Sequence, residues 1–213
     1  MKEKDLDRGR FITLEGGEGV GKTTNLSFIT ELLKANGNQV LLTREPGGTQ
    51  IGEAIRSLLL DSEEYRMEGL TELLMIFAAR SEHIKRVITP ALERGTWVVC
   101  DRFTDATYAY QGGGRGVSTA VIDQLAELVQ DDLWPDLTIY LDAPVAISAK
   151  RIANRSLDRI ENENKDFFER VRDTYLKRAK LSSRVKIVDA NSPLEQVQRD
   201  IREVIAVFIG LES

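Results

Sequence analysis

One glycine-rich string constrains the fold more than any other feature. Gly16-Gly17-Glu18-Gly19-Val20-Gly21-Lys22-Thr23 stands between a short apolar run, Phe11 to Glu15, and a stretch with helical spacing, Lys22 to Asn36. It fits the pattern G-x-x-x-x-G-K-[ST] in the strand–loop–helix setting that this pattern requires. Glycines let successive backbone N–H groups curl around an anion, and the following helix adds the positive end of its dipole. A chain that opens this way commits its first strand to a sheet whose carboxyl edge carries a phosphate site.

The remaining sequence extends that plan. Apolar runs at Gln39 to Thr43, Trp97 to Asp101, Leu137 to Asp142 and Val185 to Asp189 are of strand length and rich in β-branched residues. Their apolarity is continuous, which fits strands covered on both faces. Helical patterns separate them: Ile51 to Leu60, Thr71 to Glu93, Val121 to Gln130, Ala143 to Asn154 and Phe167 to Leu181. A last helix follows Pro193, with Ser192 and Glu195 as a capping box and Leu194, Val197, Ile201, Val204, Ile205 and Phe208 as its apolar stripe. Leu70, Leu73, Leu74, Phe77, Ile84 and Val87 read as another buried stripe. The expectation is one α/β domain over 1–213: a doubly wound parallel sheet of about five strands, helices on both faces, of the P-loop NTPase type. Residues 1–8 read as a flexible N-terminus.

Composition narrows the function. There are 29 Lys and Arg against 34 Asp and Glu, for a net charge of −5, and no basic–aromatic runs, so nucleic acid is not an expected partner. One cysteine, Cys100, and one histidine, His83, exclude an internal disulfide and a Cys/His metal centre. Cys100 reads as a small buried hydrophobe, and His83 as an ordinary solvent-facing or satisfied histidine. No apolar run is long enough to span a bilayer and the charged start is no signal peptide, so a cytoplasmic chain without a membrane partner is expected.

Phosphate binding alone leaves several enzyme classes open. A GTPase should carry N-K-x-D, but the nearest string, Asn164-Lys165-Asp166-Phe167, lacks the acid. Two strands end in an acid, at Asp101 and Asp142, where parallel strands converge on a ligand crevice. Asp101 is followed by Arg102, which suits a metal on one side and a second phosphate on the other. Asp142 reads as a cap for the helix beginning near Pro144. A small kinase fits this length better than an ATPase with accessory domains.

Beyond the loop, Thr43-Arg44-Glu45-Pro46-Gly47-Gly48-Thr49, then Phe77-Ala78-Ala79-Arg80, Asp101-Arg102-Phe103, and Ala109-Tyr110-Gln111-Gly112-Gly113-Gly114-Arg115-Gly116 follow in order. In that order and spacing, from Gly9 to Ile209, the chain resembles bacterial thymidylate kinases. The resemblance implies transfer of the ATP γ-phosphoryl group to dTMP, giving dTDP and ADP for dTTP synthesis, with Mg²⁺, in a homodimer. ATP would lie on Gly16 to Thr23 and Thr24, with Lys22 on its phosphates and Thr23 on Mg²⁺. Asp101 would act on the Mg²⁺ shell or accept a proton from the monophosphate; the sequence leaves both open.

Further roles come from the same resemblance. Arg44 and Arg102 would clamp the dTMP phosphate, although Arg44 could equally pair with Glu45. Phe77 would stack on thymine and Arg80 bond its carbonyl edge. Thr107 and Gln111 would lie near the base, Tyr110 against the deoxyribose, and Glu18 near the 3′-hydroxyl, with Tyr108 as a confounder of Tyr110. Glu45-Pro46 would be cis. An arginine-rich lid spans about 151–165: Arg151 would lie on adenine, and of Arg155 and Arg159, Arg155 would close over the transferring group. Rival readings are a kinase for another nucleoside monophosphate, or a nucleotide switch that works through a protein partner.

Overall fold

The computed structural model of the chain describes residues 8–60, 67–153 and 158–210. Its elements are β1 (Phe11–Gly16), α1 (Lys22–Ala35), β2 (Val40–Arg44), α2 (Gln50–Leu60), α3 (Gly69–His83), α4 (Thr89–Glu93), β3 (Trp97–Asp101) and α5 (Thr104–Thr107). There follow α6 (Thr119–Gln130), β4 (Leu137–Asp142), α7 (Val145–Ile152), α8 (Lys165–Leu181), β5 (Val185–Asp189) and α9 (Leu194–Ile209). The strands form one five-stranded sheet in the order β2-β3-β1-β4-β5, parallel at every pairing.

Strand side chains alternate between two cores. Ile12, Leu14, Val99, Ile139 and Leu141 face Leu26, Ile29 and Leu33 of α1 and Val197, Ile201 and Ile205 of α9. On the other face Phe11, Val98 and Cys100 meet Ile88, Ala91 and Leu92, while Tyr140 packs with Phe167, Val171 and Tyr175 of α8. Both faces of the central strands β1, β3 and β4 are therefore covered, which is why these read as unbroken apolar runs. The edge strands β2 and β5 are only partly covered, with Leu42 and Ile187 about half exposed.

The helix expected over Thr71 to Glu93 runs through, but not uniformly. Between α3 and α4, residues Ile84–Ile88 form a π-helical turn in which Thr89 N–H reaches Ile84 O. Pro90 lies just beyond, and its missing N–H and bulky ring disfavour a regular turn there. A second π-helical segment, Tyr108–Gly114, follows α5 and carries Tyr110 and Gln111; such widened turns recur at functional sites. Leu73 and Phe77 are buried as expected. Leu70 and Leu74 depart from the expected stripe, being about half exposed at 51% and 49%.

Two capping expectations are corrected. Pro193, not Ser192, is the N-cap of α9, and the Ser192 hydroxyl donates to Asp189 instead. Asp142 is no cap either, because both its oxygens are taken by Arg172 at 2.8 Å. The string Asn164-Lys165-Asp166-Phe167 is a helix start: Asn164 Oδ1 accepts from Phe167 N at 2.9 Å.

These observations set unequal costs. Ile201 is fully buried, so Ile201→Ala is expected to lose about 2–5 kcal/mol in denaturant melts. Ser192→Ala is expected to cost less than about 0.5 kcal/mol, since no helix amide depends on that hydroxyl. Equal losses would contradict the observed start of α9.

Candidate active site

The pairing of β1 with β3 sets Leu14 opposite Asp101, so the loops that follow these strands emerge side by side. Arg102 N–H donates to Leu14 O at 3.1 Å. Arg102 holds a left-handed backbone conformation, φ 67°, costly for a residue with a Cβ. The adjoining Phe103 N–H is fixed by Glu15 Oε1 at 2.7 Å, and Glu15 Oε2 accepts from the Tyr175 hydroxyl at 2.8 Å. Burial pushes the Glu15 carboxyl up to about 8, helped by nearby Asp105 and opposed by Arg102. The sequence reading missed this residue; the available signal was an acid on an otherwise apolar central strand.

Gly21 precedes α1 with φ 91°, a conformation open to glycine, and delivers Lys22 into the loop. The Lys22 ammonium donates to Gly16 O and Gly17 O at 3.3 and 3.1 Å and lies 3.8 Å from Glu18. Burial lowers its pKa, as does the charge of Arg102, against Glu18 and Asp101. Arg102 donates to Gly16 O at 2.6 Å and pairs with Glu18 through its other nitrogen, with its guanidinium 4.8 Å from the centre of the Tyr110 ring. Burial opposes the charge on Arg102, but Glu18, Tyr110, Tyr175 and Asp101 together outweigh it, and its pKa stands well above the usual arginine value. Glu18 is thus the anion between two cations. Val20 packs into the core with Leu26 and Leu141, so only its backbone can serve a phosphate. Thr23, Thr24 and Asp101 line the cleft, and Asp101 Oδ1 is buried with no hydrogen-bond partner among the described residues. A hydroxyl and an unsatisfied carboxylate oxygen suit a divalent cation or its bound water.

The cleft has a volume of about 570 Å³, within the range of small-molecule sites. Its far half holds Arg44, Arg56, Ile76, Arg80, Thr107, Tyr110 and Gln111. Arg44 pairs with Glu53 at 2.8 Å rather than with Glu45, and the Glu45–Pro46 peptide is cis. Arg56 donates to Pro46 O at 3.0 Å and adds a cation that the sequence reading missed. Arg80 is 1% exposed, with its guanidinium 4.8 Å from each of the Phe77 and Phe103 rings. It donates from Nε to Glu45 at 2.7 Å and from Nη2 to Thr107 Oγ1 at 2.9 Å, while Nη1 has no partner among the described residues.

Several expected placements change here. Phe77 does not line the cleft; it packs with Leu73, Tyr108, Ile122 and Ala126 and backs the Arg80 guanidinium. Ile76, four residues before Arg80 and so one turn away on the same face, lines the cleft instead. Tyr108 is no rival to Tyr110, because its hydroxyl is taken by Asp123 and its ring lies under Arg178. Gln111 donates to buried Glu72 at 2.7 Å. Arg159 also pairs with Glu72, at 2.6 Å, and donates to Leu59 O at 2.8 Å, which ties it to α2 and α3 rather than to the phosphate loop. Arg151 reaches Ala190 O at 3.0 Å and Gly19 O at 3.4 Å, joining α7 to the end of β5. Arg155 lies outside the described residues.

Comparison with known proteins finds a family. The thymidylate kinase family model matches residues 14–201. A thymidylate kinase of Nitrosospira multiformis is 52% identical over 203 residues, covering 94% of this chain and 98% of its own. One from Pseudomonas savastanoi pv. phaseolicola is 54% identical over 205 residues, covering 95% and 98%. The crystal structure of thymidylate kinase from Ehrlichia chaffeensis superposes with a TM-score of 0.74 at 33% identity, covering 93% of this chain and 99% of that one.

Glu15 gives stability a defined pH dependence. Its carboxyl rises from 4.5 to about 8 on folding, so within that window the folded chain keeps a proton that the unfolded chain has lost. Its contribution is fully present below pH 4.5 and is lost as pH rises through 8. Glu15→Gln removes this titration. The melting temperature of the variant relative to the parent is expected to climb steadily from about pH 5 to pH 8, and a difference independent of pH would contradict the assignment.

Proposed function

The chain belongs to the thymidylate kinase family, and we propose that it transfers the γ-phosphoryl group of ATP to dTMP, giving ADP and dTDP, a step of nucleotide biosynthesis. One observation carries this reading: the phosphate loop and a second set of guanidinium groups, Arg44 and Arg102, open into one cleft. Phosphoryl transfer asks little covalent chemistry of the protein; it asks that two polyanions be held in line and their charge be absorbed.

The loop amides and Lys22 hold the donor phosphates, and Arg151 lies beside the adenine at the end of β5. Thr23 and Asp101 would hold Mg²⁺ directly or through water, and this ion neutralises charge on the donor oxygens when bound. Arg102 and Arg44 take the acceptor phosphate, since planar guanidinium groups pair bidentately with phosphate oxygens. On its arrival Glu18 leaves Arg102 and turns to the sugar hydroxyl. The free Nη1 of Arg80 meets a carbonyl of the base, with Thr107 and Gln111 beside it. Ile76 supplies an aliphatic wall for the base, and Tyr110 fills the space beside C2′. Arg155 closes over the transferring group and excludes water.

Ile51, Leu58, Leu70 and Leu74 of α2 and α3 are each about half exposed, and such apolar patches mark interfaces. We read this face as the surface of a homodimer. No helix among the described residues is long and apolar enough to cross a membrane. From the proposed nucleotide substrates we read the reaction as a cytoplasmic one.

ADP release measured across a panel of monophosphates tests the assignment. dTMP is expected to be the preferred acceptor, UMP and CMP to fail, and ATP alone to turn over barely. ATP turnover independent of any monophosphate would contradict a kinase and favour a nucleotide switch. Arg155→Ala is expected to lower turnover by about 10³-fold, and a loss of only a few-fold would remove that arginine from the transition state.

A further inference from the structure

The Thr43 to Thr49 string contains residues that the proposed chemistry does not use, and they converge on one side chain. His83, the only histidine of the chain, is fully buried on the last turn of α3. Its Nδ1 lies 2.9 Å from Glu45 Oε1, and its Nε2 lies 2.7 Å from Thr43 Oγ1. Gly48 packs flat against the ring: a Cβ there would stand 2.5 Å from Nε2 and 2.6 Å from Cδ2. In the tautomer with its hydrogen on Nδ1, the ring donates to Glu45 and accepts from the Thr43 hydroxyl, so every polar atom of the set is satisfied.

The other oxygen of Glu45 accepts from Arg80 Nε at 2.7 Å. A carboxylate beside a guanidinium favours the two-pronged pair, taking Nε and Nη2 together. That geometry is not formed. Glu45 Oε1 is held by the imidazole, which leaves Nη2 to Thr107 Oγ1 at 2.9 Å. Nη1 stays buried without a partner among the described residues, on a residue that lines the cleft.

We propose that His83 is a positioning residue for acceptor recognition: by holding Glu45 Oε1 it keeps the Arg80–Glu45 pair single and aims the free Nη1 at a carbonyl acceptor on the substrate base. The inference rests on reading the far half of the cleft as the monophosphate site. Without the imidazole donor, Oε1 swings to Nη2, Thr107 is displaced, and the guanidinium turns with it. His83 then acts on the affinity for the acceptor and not on the donor nucleotide or the transfer step.

The test uses the full chain with ATP and dTMP. His83→Leu removes the donor at similar volume, and His83→Asn keeps a donor near the Nδ1 position. The leucine variant is expected to raise KM for dTMP about tenfold or more, with KM for ATP within about twofold and kcat within about threefold. The asparagine variant is expected to recover most of that loss. If leucine leaves KM for dTMP unchanged, or if asparagine loses as much as leucine, the proposal fails. If leucine does not fold, asparagine and the imidazole spectrum decide. One histidine gives a single imidazole signal in ¹⁵N-resolved NMR, and a slowly exchanging hydrogen is expected on Nδ1; a bare Nδ1 overturns the proposal. Absence of dTMP-dependent turnover in the parent chain would instead strike the functional reading, and the spectrum of that same sample would still decide the hydrogen bond.

Discussion

The ion pair between Glu18 and Arg102 is the interaction on which the cleft depends. An arginine largely withdrawn from water and left without a counter-charge is strongly destabilising, and Lys22 stands close enough for the same carboxylate to serve both cations. A phosphate carries more charge than a carboxylate and offers more oxygens to a guanidinium fork, so it can displace Glu18 without leaving either cation bare. On the proposed reading the protein carries, in its own loop, a stand-in for the anions it is built to bring together.

Sheet topology makes that pair possible. Only because β1 and β3 are neighbours do the loops after Gly16 and Asp101 meet, and the turn that presents Arg102 is held from beneath by Glu15 through the Phe103 amide. The opposite half is built the same way, with Glu45 beneath Arg80 and Glu72 beneath Gln111. In each case a buried carboxylate fixes a group at the wall of the cleft: the Phe103 amide, the Arg80 guanidinium and the Gln111 amide.

Much of this was legible in the sequence. The strands Trp97–Asp101 and Leu137–Asp142 fall where the apolar runs do, because strands covered on both faces must be apolar along their whole length. The edge strand Val185–Asp189 also falls on its run, although Lys186 and Ile187 are exposed. That the glycine-rich loop and the Asp101–Arg102 pair stand at strand ends was also readable, since it follows from neighbours in the chain. What escaped depends on contacts between distant segments. Phe77 and Ile76 are both apolar and adjacent, and only the packing of α3 against α6 decides which of them meets the cleft. The π-helical turns, the burial of His83, and the attachment of Arg159 to Glu72 are likewise products of tertiary packing rather than local pattern. Ser192 failed as a cap because a short-range motif competed with Asp189, which the strand end places beside it.

The central claim is that an acceptor phosphate takes the place of Glu18 on Arg102. A crystal structure of the chain with dTMP measures this directly. The Arg102 guanidinium is expected within about 3 Å of phosphate oxygens, with Glu18 turned away and the base beside Arg80 and Ile76. A complex in which dTMP lies elsewhere while Glu18 and Arg102 remain paired would contradict it.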